Sequence, residues 1–129
     1  MGLTERRAVQ TLKDDDFKQF VEQVKWICGF EVAIEMDWAS LENDDDCLWI
    51  VQNKKHQEYM FRRLQNALAH ICSDHTGKSA LSEKLKKIVL INASGDLGFE
   101  AGTFTLRTSL IGNGNWGEEQ IREFIKRQL

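Results

Sequence analysis

The chain has 129 residues, 42% of them hydrophobic and 29% charged, with a formal net charge of -3. That length suits a single domain, 1–129, with a core of its own, and the acidic balance excludes a general affinity for nucleic-acid phosphates, which calls for clustered Lys and Arg. No window stays apolar over the roughly 20 residues that span a bilayer, and Met1 to Gln10 lack the apolar centre of a secretory signal, so the expected compartment is the cytoplasm.

Taken in chain order, residues 1–13 carry a charged centre, Glu5-Arg6-Arg7, with scattered apolar residues, and read as a frayed or loosely docked start. Asp14, Asp15 and Asp16 suit the first turn of a helix, and Phe17, Phe20, Val21, Val24, Ile27 and Cys28 recur at helical spacing before Gly29 stops it. Phe30, Val32, Ile34, Met36 and Trp38 then alternate with Glu31, Ala33, Glu35 and Asp37, the pattern of a half-buried strand with an acidic outer face. A polar connection carries Asp44, Asp45 and Asp46. The following apolar cluster, Cys47 to Val51, fits a strand or a helical turn, and a strand is the expectation.

A second amphipathic helix is predicted from about Lys54 to Ser73, with Met60, Phe61, Leu64, Ala67, Leu68, Ile71 and Cys72 on its apolar stripe and His56 in solvent. Asp74 to Gly77 breaks it, and a shorter helix spans Lys78 to Lys86. Lys87 to Leu110 reads as a three-stranded antiparallel meander. Its first strand, Ile88 to Ile91, is apolar without interruption, as for a strand covered on both faces. In the next two strands Leu97, Phe99, Phe104, Leu106 and Leu110 point one way, while Asp96, Glu100, Thr103, Thr105 and Arg107 point the other. Turns fall at Ser94-Gly95 and at Ala101-Gly102, the latter a type I turn with a bulge. After the loop 111–117, Asn115 is placed to cap a last helix with Ile121, Phe124, Ile125 and Leu129 inward. The fold class is therefore α+β: an antiparallel sheet of about four or five strands, including the C-terminal meander, with helices mainly on one face.

Chemistry is sparse. Cys28, Cys47 and Cys72 lie far apart in sequence, so they form neither a disulfide framework nor a paired-cysteine metal motif, and they read as reduced thiols. The loop Gly112-Asn113-Gly114-Asn115 resembles a phosphate cradle only superficially, since no Lys-Ser or Lys-Thr follows it and Glu118 and Glu119 would repel an anion. His70, Asp74 and His75 are metal-ligand types without a metal-binding spacing and read as a helix end. No cofactor, metal or catalytic residue is expected. What remains is negative charge beside aromatic residues: Glu35, Asp37, Asp44, Asp45 and Asp46 with Trp38 and Trp49. These seven form the candidate partner-binding set of a non-catalytic module that docks a basic protein, one version being an immunity or inhibitor protein for a basic toxin or nuclease. The rival readings are a small metal-dependent hydrolase or transferase, in which Glu35 or Asp37 meets a His, and a structural homodimer built on the outer face of the meander.

Overall fold

The computed structural model describes residues 2–129. One long helix opens the chain, made of α1 (Leu3–Leu12), a single π turn (Lys13–Phe17) and α2 (Lys18–Cys28), with helical backbone angles at each junction. Residues 3–12 are thus part of this helix rather than a frayed segment, because Val9 and Leu12 are buried in the core and tie it down. Gly29, at φ 72°, ends the helix in the left-handed conformation that glycine adopts without strain.

Strand β1 is short (Ala33–Met36), and Asp37 immediately caps α3 (Trp38–Glu42). Cys47 to Val51 forms no strand. It is helix α4 (Cys47–Gln52), which seats Cys47 and Ile50 in the core against α1. Five apolar residues satisfy either geometry, and the buried positions at i and i+3 decided for helix. A second π turn (Gln57–Phe61) leads into α5 (Arg62–Ile71), followed by α6 (His75–Lys84), whose first turn is capped by the Asp74 carboxylate accepting from the Gly77 N–H. The chain thus resumes helix at His75, three residues earlier than its glycine suggests.

The sheet contains β2 (Lys87–Asn92), β3 (Gly98–Glu100) and β4 (Thr103–Thr108) beside β1, in the order β1-β2-β4-β3. It is mixed: β1 pairs with β2 and β2 with β4 in parallel, and only β3 and β4 are antiparallel. The expected meander is therefore overturned in its connectivity. Residues 93–97 are enough chain to step across one strand position, about 10 Å, so β3 lies at the edge and β4 returns between it and β2. The β3-β4 turn is a two-residue hairpin with positive φ at both Ala101 and Gly102, the signature of a type I′ turn rather than type I with a bulge.

Burial alternates strictly along β2 and β4, with Ile88, Leu90, Asn92, Phe104, Leu106 and Thr108 inward. The opposite face, which includes Glu35, Lys87, Val89, Ile91, Thr103, Thr105 and Arg107, carries no helix and is partly open, so β2 is not sandwiched as its unbroken apolar run implies. On the covered side, α5 packs between α2 and α7 (Glu118–Gln128). Phe20 stacks on Phe61 with ring centroids 4.5 Å apart, and Phe17 lies edge-on to Trp38 at 5.1 Å. Gly117, not Asn115, precedes α7. Its N–H donates to the Gln120 side chain, while Asn115 and the Trp116 carbonyl both accept from Arg63.

Candidate functional site

The acidic residues singled out in the sequence divide by the work each already does. The Asp37 carboxylate accepts from the Ser40 N–H at the start of α3. Glu35 lies on the open sheet face, 3.1 Å from Lys87 on the neighbouring strand. Asp44 is a brace: one carboxylate oxygen accepts from the Asp46 N–H at 2.8 Å and the other from the Asn92 side chain at 2.9 Å. Asn92, buried at the end of β2, also donates to the Ser40 carbonyl and accepts from the Leu110 N–H, so it joins the acidic loop to the ends of β2 and β4. Trp38 sits at the core edge under the Lys13 ammonium, 4.9 Å from its ring. Asp45, Asp46 and Trp49 are exposed, and no side-chain cap is made by Asp46.

Two carboxylates not chosen from the sequence join this loop. A surface hollow of about 330 Å³ is lined by Glu5, Glu42, Asp44 and Asp45 together with Cys47 and Leu48. The concentration of negative charge registers on Cys47: burial pushes its thiol up, and Asp44, Glu42 and Glu5 push it further in the same direction. Glu42 ends α3, just before Asp44 in the chain, whereas Glu5 sits in α1 and is brought to them only by the docking of the first helix against α3 and α4. Lys13 approaches Glu42 at 3.8 Å and offsets part of this charge on one side. Trp49, 48% exposed, lies one residue beyond Leu48, its ring facing the Lys55 ammonium at 5.5 Å.

The carboxylate that meets a histidine is neither Glu35 nor Asp37. Among the described residues it is Asp16, whose Oδ2 lies 2.8 Å from His56 Nε2 and 3.2 Å from Lys54 Nζ. His56 is fully buried, which corrects its reading as a solvated helix residue, and its Nδ1 has no hydrogen-bonding partner. Asp16 belongs to the first π turn and His56 immediately precedes the second, so the pair fastens one irregular turn to the other. Burial holds His56 below its ordinary value, against the opposing pull of Asp16. For Asp16, burial would raise the carboxyl, and the hydrogen bonds from His56 and Lys54 outweigh it, so the net direction is down. His56 is fully enclosed, whereas the Asp16 carboxylate is partly exposed at a hollow of about 210 Å³ that Gln23, Gln57 and Arg62 also line.

A cleft of about 640 Å³ lies between Trp116 and Phe124 and is edged by Asp96, Glu119, Glu123 and Arg127. Its two glutamates are already approached by Arg122, and the Trp116 indole N–H donates to the Gly95 carbonyl. The glycine-rich loop beside it is pinned by the Ser109 N–H to the Gly114 carbonyl and by the Trp116 N–H to the Thr108 hydroxyl. Among the described residues, no group of three or more His, Cys, Asp or Glu is placed to hold a metal ion, and no helix is long and apolar enough to cross a membrane. Comparison with family models, with curated proteins and with solved structures finds no match for this chain.

Proposed function

We propose that the chain is a non-catalytic protein-binding module that docks a basic partner on the acidic rim formed by Glu5, Glu42, Asp45 and Asp46, with Trp49 as its aromatic anchor. The observation that carries this reading is the convergence of carboxylates from α1, α3 and the α3-α4 loop around one hollow, which add to burial in disfavouring ionisation of the neighbouring Cys47. Asp44 holds the loop to β2 through Asn92 and is a positioning residue, while Glu35, Asp37 and Trp38 are committed to the sheet, a cap and the core edge. Like-signed groups presented on a fixed loop speed the encounter with a basic surface and give it a steep dependence on salt. An immunity-type inhibitor is the concrete version: it would hold carboxylates where a nucleic-acid-directed toxin holds phosphates.

The test is the variant Glu5→Gln/Asp45→Asn/Asp46→Asn, which leaves the Asp44 brace and the Lys13-Glu42 contact in place. With a basic nuclease partner recovered by the unmodified chain, its association rate at low salt is expected to fall by about tenfold or more and to lose most of its salt dependence. Unchanged association by a variant that melts at the same temperature would place the docking surface elsewhere.

A further inference from the structure

The cleft of about 640 Å³ between α7 and the β2-β3 connection has an apolar floor, made by Leu97, Trp116 and Phe124, and a charged rim. The floor is fixed in place. The Trp116 N–H donates to the Thr108 hydroxyl, its carbonyl accepts from Arg63, and its indole N–H donates to the Gly95 carbonyl, which leaves the apolar surface of the ring to line the cleft. Phe124 is half-buried and packs on the core residue Phe104, with ring centroids 6.1 Å apart.

The rim sorts by charge from one end of α7 to the other. Trp116 joins the start of α7 to Thr108 at the end of β4, and Phe124, late in the helix, meets Phe104 near the beginning of that strand, so α7 runs antiparallel to β4. Asp96 lies at the start of α7, next to Gly95 and opposite Arg107, which donates to the Asp96 carbonyl. Arg127 lies at the far end, about 12 Å beyond Glu119 at 1.5 Å per residue. Between them, Glu119 and Glu123 are approached by Arg122 at 3.8 and 3.2 Å, and Glu123 by Lys126 as well. Among the described residues, the Asp96 carboxylate and the Arg127 guanidinium have no partner, in each other or elsewhere. An apolar trough therefore carries one unpaired charge at each end, of opposite sign.

We propose that this cleft binds a short peptide with free termini, about three residues long, its ammonium at Asp96, its carboxylate at Arg127 and an apolar or aromatic side chain on Trp116 and Phe124. The length follows from the separation of the charges. An extended chain covers at most about 3.3–3.6 Å per residue, so about three residues bring both termini within reach of the two side chains. A single amino acid does not suffice, because its ammonium and carboxylate share one carbon and meet only one end of the trough. The guanidinium suits a terminal carboxylate, which it grips with two parallel N–H donors. A ligand with two like charges would set one of them against its own sign. The cleft shares no lining residue with the acidic hollow between α1 and α4, so this site is separate from the docking surface proposed above.

The test titrates the full chain with the tripeptide alanyl-phenylalanyl-alanine, free at both ends, and with the same tripeptide acetylated at its amine, amidated at its carboxyl, or both. Saturable binding of the free peptide is expected by calorimetry, with amide and indole N–H shifts in NMR spectra centred on Leu97, Trp116 and Phe124. Blocking either end is expected to weaken binding by about threefold or more, the scale of one partly exposed ion pair. In Arg127→Gln the free and amidated peptides should bind alike, and in Asp96→Asn the free and acetylated peptides should. Both side chains are exposed, so neither substitution threatens the fold. No saturation up to about 5 mM peptide, shifts centred on another part of the chain, or equal binding of the free and doubly blocked peptides would each overturn the proposal.

Discussion

Removing the Asp16 carboxylate should expose how much of the fold's stability rests on the buried His56. In Asp16→Ala, the Nε2–H of a fully buried ring loses its acceptor at a site where Nδ1 already lacks a partner. Leaving one buried donor unpaired costs about 1–3 kcal/mol, whereas the lost contact to Lys54, an exposed side chain, costs little. The expected loss is about 2 kcal/mol, or about 6 °C in melting temperature for a chain of this size. The second variant, Asp16→Ala/His56→Leu, removes both partners and should recover part of that loss, because no polar atom is then stranded among Phe17, Phe20 and Phe61. Acidity supplies an independent check. The folded state holds His56 below its ordinary value of 6.5, so the unfolded chain binds more protons there. Stability is therefore present above about pH 6.5 and declines as the pH falls below it, and the Asp16 contribution follows at lower pH, below 3.8. Urea titrations at roughly unit steps across about pH 2 to 8 read both effects. A loss under about 0.5 kcal/mol in Asp16→Ala, or the same slope near pH 6 in His56→Leu as in the unmodified chain, would refute the reasoning.

Two further substitutions test the joints that position the acidic loop and the α5-α6 turn. Asn92→Ala strands the buried Leu110 N–H and frees Asp44, and should cost about 2–3 kcal/mol by denaturation while accelerating amide exchange at Asp45 and Asp46. Gly77→Ala places a Cβ against the Ile71 carbonyl oxygen, backbone on which α6 has no room to yield, and should cost about 2 kcal/mol by the same measurement.

The helices were legible wherever their apolar period is long. Phe20, Val24 and Cys28 in the first, Leu64, Leu68 and Ile71 in α5, and Ile121 and Ile125 in α7 are buried as their spacing requires. The inward and outward sets of β4 were equally readable, since alternation is a property of the strand itself. Strand order was not: a five-residue connection permits either pairing with the previous strand or a step past it, and no residue in 93–97 distinguishes the two. Trp26 shows the opposite failure. It lies beside the apolar stripe of its helix, yet it is 82% exposed, since a hydrophobic side chain need not be buried.

The candidate sites divide in the same way. Sequence by itself determined the composition of the acidic loop, the helical and strand periods and the position, though not the type, of the turn at Ala101-Gly102, all of which depend on residues within a few positions of one another. Only the tertiary structure decided that Glu5 joins Glu42, Asp44 and Asp45, that Asp44 braces Asn92, and that His56 is buried against Asp16. The contacts of Glu5 with Asp44, of Asp16 with His56 and of Asp44 with Asn92 each span tens of residues, 40 between Asp16 and His56 and 48 between Asp44 and Asn92. Over such separations the chain has many ways to close its loops, and the choice among them is made by packing of the whole core, which no local pattern records.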